Sequence, residues 1–122
     1  MGKTYVSATL SKAEPGEPGR DYRFFVDTGA THMGLPVEEI ERLGLTRARG
    51  KMRFITATGP QDFDTYLGWV TLGGEGATVT VIPQPMPVMG YEVLENLRYK
   101  VNPVTRKLEK ISDDENGGPV AL

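Results

Sequence analysis

Glycine and proline punctuate this chain so densely, at 15 and 9 of its 122 residues, that its ordered elements must be short and joined by many turns. That punctuation favours a mostly β architecture. With 39% hydrophobic and 25% charged residues, a chain of this length is expected to form one globular domain that buries about two thirds of its unfolded surface. The charges nearly balance, 14 basic against 16 acidic for a net −2, and single out no polyanionic partner. Cysteine is absent and His32 is the one histidine, which excludes disulfides, a thiolate nucleophile, thiolate zinc and a multi-histidine metal site within one chain. Any chemistry must come from carboxylates or hydroxyls, and neither metal nor cofactor is expected. No stretch nears the roughly 18–20 apolar residues of a membrane span. Residues 1–10 carry no extended apolar core after Lys3, so no membrane partner is expected and the expected location is cytoplasmic.

Along the chain, residues 5–10 interleave apolar with small or polar side chains and precede Glu14-Pro15-Gly16-Glu17-Pro18-Gly19, a doubled turn signal. A strand, a long turn and a return strand over 22–26 follow from this pattern. The return strand runs straight into Asp27-Thr28-Gly29-Ala30, so a carboxylate stands at the end of an apolar run. From Leu35 the period changes. Pro36, the acidic pair Glu38 and Glu39, the spacing of Val37, Ile40 and Leu43, and the stop at Gly44 predict a short helix over 36–43. Residues 52–57 and 63–71 form a long hairpin about Thr58-Gly59-Pro60, with Phe63, Thr65, Leu67, Trp69 and Thr71 on one face and Trp69 assigned to the core. A Gly-rich turn at 73–76 leads into a strand over 78–82. Pro83, Pro85 and Pro87 hold the next segment extended, and a second short helix is expected over 91–97. A closing hairpin pairs 99–102 with 108–111. Residues 112–122 are polar and acidic and read as a loose, disordered tail, leaving 1–111 as the domain. An apolar strand ending at a glycine and followed by a short helix occurs at 24–43 and again at 79–97, a weak internal similarity that two pseudo-symmetric halves would produce.

Phe24-Phe25-Val26 followed by Asp27-Thr28-Gly29-Ala30 resembles the active-site signature of the retropepsin-like aspartic proteases. Pro87-Val88-Met89-Gly90, sixty residues beyond Asp27, resembles the family's second element, an apolar pair before a glycine that supports the catalytic loop from behind. A glycine-tipped hairpin lies between them where the family has a flap, and the segment 90–97 is similar to bacterial and archaeal single-domain members. The resemblance covers about residues 5–111. It implies an all-β fold, a small closed acid-protease barrel with one or two short helices, acting as a homodimer.

The chemistry explains the dimer, because aspartic proteolysis uses two carboxylates sharing one proton and this chain has one such loop. Each protomer would give one Asp27 across a two-fold axis. The resemblance makes Thr28 the residue that bonds across the dimer and Gly29 the residue that lets the loop turn tightly. It makes Ala30 part of the substrate floor, and Thr56, Ala57, Thr58 and Gly59 the flap tip over an extended peptide or protein substrate. Pepsin-like relatives carry a hydroxyl where this chain has Ala30. A hydroxyl there could donate to the carboxylate, so activity nearer neutral pH is expected.

Three positions depart from the family pattern. Many retroviral members brace the dimer with an Asp two residues after the loop glycine and an Arg after the second glycine, where this chain has Thr31 and Tyr91. The C-terminal strands that interleave in those dimers are here a longer, charged segment, and the flap tip carries Pro60.

Simpler readings stand beside these. Asp27 could merely cap a turn, His32 could be a local hydrogen-bond donor, and Asp62 with Asp64 could be a solvated outer face rather than a metal site. The basic stretches at 47–53 and 98–110 could contact phosphates, although charge runs are usually solvated faces, so nucleic acid is not expected as a partner. The function expected is an aspartic endopeptidase with Asp27, Thr28 and Gly29 as its catalytic loop. The alternative is a non-catalytic dimeric peptide-binding module of the same fold.

Overall fold

Alternation of inward apolar and outward polar side chains builds the first hairpin. In β1 (Tyr5–Lys12) Ala8 and Leu10 point inward, and in β2 (Arg20–Val26) Phe24 and Val26 do the same. The computed structural model describes residues 3–13 and 17–111, so the expected tail at 112–122 and part of the first Pro-Gly turn lie outside the described residues. The two strands pair antiparallel, Tyr5 opposite Phe25 through Leu10 opposite Arg20.

The remaining barrel strands are β3 (Met33–Leu35), β5 (Gly59–Leu72), β6 (Glu75–Pro83) and β7 (Val88–Met89), in the order β1-β2-β7-β3-β6-β5. Pairing of β1 with β5, from Thr9–Thr71 to Lys12–Gly68, closes the ring, and closure removes the open edges that would invite aggregation. Beyond β5, β4 (Thr46–Thr56) extends the sheet as one arm of a long hairpin, with a register shift between Arg47 and Lys51. Leu10, Phe24, Met33, Leu35, Val70, Val79, Val81, Met89 and Val93 are buried at the centre.

The internal similarity in the sequence has a counterpart in the pairing. Strand β2 leads through a loop to β3 and helix α1 (Val37–Leu43), just as β6 leads to β7 and helix α2 (Tyr91–Asn96). The halves exchange partners: β2 runs parallel to β7, β6 runs parallel to β3, and β3 meets β7 antiparallel where Gly34 faces Val88. Gly34 is needed there, because a Cβ on it would stand 2.5 Å from the Gln84 side chain.

Helix α1 follows Pro36 and buries Ile40 and Leu43, while Val37 faces out. Gly44 ends it at φ 68°, its N–H donating to the carbonyls of Ile40 and Glu41, a left-handed cap that favours glycine. Glu39 ties the helix to the barrel: it accepts from the Tyr22 hydroxyl at 2.9 Å and lies near Arg20 and Arg42. Strands β8 (Tyr99–Asn102) and β9 (Lys107–Lys110) form a separate two-stranded sheet.

Three expectations need correction. The strand β3 has no counterpart in the sequence reading, because three residues buried on both faces show no period. The long hairpin begins at Thr46 rather than 52 and turns at Ala57-Thr58, with Gly59 already paired to Thr56. The buried face of β5 over its second half is Gly68, Val70 and Leu72, so Trp69 lies on the opposite face, against Gly76, whose Cβ would stand 2.6 Å from the indole.

Candidate active site

The loop that holds Asp27 is fixed by backbone bonds from both halves of the barrel. The Asp27 N–H donates to the Met89 carbonyl at 3.0 Å, continuing the β2–β7 pairing, and the Ala30 N–H donates to the Asp27 carbonyl at 3.1 Å. From behind, the N–H groups of Tyr91 and Glu92 donate to the carbonyls of Ala30 and Thr31 at 2.7 and 2.9 Å. The start of α2 therefore grips the loop through the main chain, at the two positions where the family's ionic brace is replaced by Thr31 and Tyr91. Gly90 makes this approach possible, since any Cβ there would press on the backbone of Thr31 and His32.

Within the loop the Gly29 N–H donates to Asp27 Oδ1 at 2.9 Å. A Cβ on Gly29 would lie 3.3 Å from that oxygen, so glycine keeps the approach to the carboxylate open. Asp27 and Ala30 are half-buried, whereas Thr28 and Gly29 are exposed.

Asp27, Gly29, Ala30, Thr31 and His32 form one side of a cleft of about 340 Å³, completed by Gly34, Ile82, Gln84 and Val88 and by Phe54 and Ile55 of the β4–β5 hairpin. The hairpin thus stands over the carboxylate. Phe54 packs edge-to-face on His32 at 5.9 Å between centroids and on Phe63 at 5.6 Å, while Ile55 is 82% exposed. The flap tip itself is ordered by its threonines: Thr56 Oγ1 donates to the Gly59 carbonyl at 2.6 Å and accepts from the Thr58 N–H at 3.3 Å. Gly59 has φ 112°, which side-chain-bearing residues rarely adopt.

Of the expected site residues, Asp27, Gly29 and Ala30 meet in the cleft. Thr28 faces a second groove beside Tyr91, and Thr56, Ala57, Thr58 and Gly59 lie at the tip rather than in the cleft wall. Phe54, Ile55, Ile82, Gln84 and Val88 are wall residues that the sequence reading misses, and strand alternation could not have indicated the first two together, because neighbours in a strand point to opposite faces. His32 is half-buried, with its Nδ1 3.4 Å from Glu92 Oε2 and without a hydrogen-bond partner among the described residues. Among the described residues no group of three or more His, Asp or Glu side chains could hold a metal ion, and no helix is long and apolar enough to cross a membrane.

The outer face of the hairpin pairs part of its own charge. Arg53 bonds Asp62 at 2.9 Å, and Arg47 and Lys51 face Asp64 at 3.6 and 3.8 Å. The hydrogen bond from Arg53 pulls the Asp62 carboxyl below its ordinary range and raises the guanidinium in turn.

A closed six-strand barrel, an Asp-Thr-Gly loop braced from behind by a glycine, and a hairpin standing over the carboxylate define a protein of the retropepsin-like acid-protease fold. The chain belongs to the aspartyl protease family, whose model matches residues 16–94. No curated protein sequence matches it, so the likeness to individual proteins is one of structure. EIAV protease, solved with the inhibitor HBY-793, superposes with a TM-score of 0.62 at 16% identity, over 83% of this chain and 93% of that one. A retropepsin-like aspartic protease from Rickettsia conorii gives 0.58 at 20% identity, over 83% and 77%. The simian foamy virus (mac) protease gives 0.56 at 19%, over 81% and 100%.

Proposed function

We propose that this protein is an aspartic endopeptidase that works as a homodimer and hydrolyses peptide bonds in extended segments of protein. The observation that carries the reading is Asp27 on the floor of a cleft, its Oδ1 accepting the Gly29 N–H, with Phe54 and Ile55 standing over it. A turn-capping aspartate needs neither the cleft nor the hairpin above it.

One protomer supplies one carboxylate, so a second copy supplies the other. Two carboxylates in contact share a single proton, because both cannot ionise side by side. The ionised Asp27 takes a proton from a water held between the two, and the water oxygen attacks the scissile carbonyl carbon. The protonated partner gives its proton to the carbonyl oxygen. Collapse of the resulting gem-diol breaks the C–N bond, the leaving nitrogen is protonated by the dyad, and the shared proton is restored. Thr28 orients each loop through its hydroxyl, and Ala30 with Gly29 forms the floor beneath the peptide. The extended substrate lies beneath the flap carrying Thr56, Ala57, Thr58 and Gly59, pairing as an added strand, and flap closure excludes water.

The test is digestion of an unbiased peptide library read by mass spectrometry, from mildly acid to neutral pH, comparing the wild type with Asp27→Asn at a concentration that permits dimers. Cleavage by the wild type that disappears in the variant is the expected result. Silence from both, with a folded dimer confirmed, would replace the protease by a peptide-binding module.

A further inference from the structure

Glu92 of α2 reaches the active loop twice. Its N–H holds the Thr31 carbonyl at 2.9 Å, and its carboxylate approaches the side chain of the next residue, His32, with Oε2 3.4 Å from Nδ1. The other oxygen, Oε1, accepts the Thr80 N–H of β6 at 3.3 Å. The carboxylate is therefore held between the barrel wall and the imidazole.

His32 lies between that carboxylate and the flap. It lines the cleft with Asp27, and its ring meets Phe54 at 88° and 5.9 Å between centroids, while Phe54 meets Phe63 on the opposite arm of the hairpin. A line of contacts thus runs from α2 through the cleft wall to both arms of the flap. The imidazole is only 14% exposed, yet its Nδ1 has no hydrogen-bond partner among the described residues, and a buried polar atom left in this way calls for a reason. The Glu92 oxygen lies just beyond an ordinary hydrogen bond. A small movement of the ring toward α2 would complete one, and Phe54 packs on the ring from the flap.

We propose, on the protease reading above, that His32 and Glu92 are positioning residues for the flap. When the flap closes on a peptide, Phe54 moves the imidazole toward α2, Nδ1–H donates to Glu92 Oε2, and the ring becomes a fixed stop that sets the height of Phe54 and Ile55 over Asp27. Hydrogen bonds that are long in a free enzyme often tighten in this way once substrate is bound. The stop serves the grip on the extended peptide rather than the bond-breaking step, so its loss weakens substrate and transition state alike. Core filling alone would be served by an apolar side chain, which leaves no buried nitrogen unmet.

Steady-state cleavage of one library-derived peptide and amide hydrogen exchange of the flap, both on the full chain, test this with Glu92→Ala, His32→Leu and the double variant. Glu92→Ala leaves its N–H on the Thr31 carbonyl, and circular dichroism melts report folding. If it unfolds, His32→Leu, which keeps the bond between Glu92 and Thr80, carries the test alone. The expected result is a KM about 10-fold higher in each single variant with kcat within about twofold, the scale of one lost hydrogen bond. The double variant should be no worse than the singles, because the two side chains act as one unit, and amides 54–56 should exchange several-fold faster in all three. Folded variants with unchanged KM and flap exchange would overturn the proposal, as would a fall in kcat at constant KM, the mark of a purely structural loss of active protein. A wild type that cleaves nothing removes the protease, and faster flap exchange in the variants then keeps the pair as the flap's seat. Cleavage that needs Asp27 but is indifferent to both variants does the reverse.

Discussion

Gly90 packs directly against the main chain of His32: the space a Cβ would need at Gly90 is already filled by the His32 carbonyl and by Thr31 at 2.8 Å. Gly90 has φ −90° and ψ 178°, which any residue can adopt, so the requirement for glycine is purely steric. Behind it, the first N–H groups of α2 hold the carbonyls of Ala30 and Thr31. The helix start therefore sets the height of the Asp27 loop.

Gly90→Ala is accordingly expected to push the loop forward or break those bonds. Overpacking of this kind costs about 1–3 kcal/mol, which a thermal melt would register as a modest fall. On the protease reading cleavage should fall much further, because a catalytic carboxylate tolerates less displacement than the fold does. Unchanged Tm and kcat/KM in the Gly90→Ala protein would show that the loop is not seated by this contact.

Phe54 and Ile55 are adjacent on the flap but differ in what they touch in the free protein. Phe54 packs on His32 and Phe63, contacts of about 0.5–1.5 kcal/mol each, whereas Ile55 is 82% exposed. Phe54→Ala is expected to lower both Tm and kcat/KM. Ile55→Ala should leave Tm unchanged and raise KM several-fold, since its apolar surface is buried only when a peptide lies in the cleft. Steady-state kinetics beside thermal melts separate the two, and an unchanged KM in Ile55→Ala would remove that residue from the substrate wall.

The parts of this structure that are legible in the sequence are those where a local signal and the tertiary structure agree. The Pro36 to Gly44 frame predicts α1 because a fixed φ at the start and a left-handed cap at the end act locally. The Asp27 loop and Gly90 are legible as a pair through the family resemblance, and the structure adds the steric reason for the glycine. Elsewhere the deciding contact lies far along the chain. Met33-Gly34-Leu35 becomes a strand only because β6 and β7 flank it. The charges at 47–53 become a strand because Asp62 and Asp64 lie opposite. Trp69 reads as core because period two says which residues share a face but not which face is inside, and Gly76 supplies the outer surface on which the indole rests.

Tyr22 gives the barrel an alkaline limit. Burial, then the hydrogen bond and negative charge of Glu39, push its phenol up to about 12, with Arg20 opposing. An unfolded chain ionises tyrosine near 10, so between 10 and about 12 the unfolded state binds fewer protons and stability falls as pH rises. The contribution is whole below pH 10 and lost as pH climbs through the folded value. Tyr22→Phe should lose about 1 kcal/mol at neutral pH with its hydrogen bond, then decline less steeply than the wild type above pH 10. Urea midpoints of both proteins across that range decide it, and parallel curves would mean that Tyr22 is not the group responsible.

Ala30 bears on the other end of the pH scale. Its N–H donates to the Asp27 carbonyl at 3.1 Å and it lines the cleft that holds Asp27, so the position lies beside the carboxylate but offers no hydroxyl. A serine here could donate to the ionised carboxylate and favour the charged form. The wild type is therefore expected to cleave best nearer neutral pH than a pepsin-like enzyme, and Ala30→Ser should carry the acid limb of its pH–rate profile to lower pH with little change in Tm. Profiles of kcat/KM for the two proteins on one library-derived peptide make the comparison. An optimum for the wild type well below about 3.9, the ordinary aspartate value, or a limb that does not move in the serine variant, would separate Ala30 from the acidity of the site.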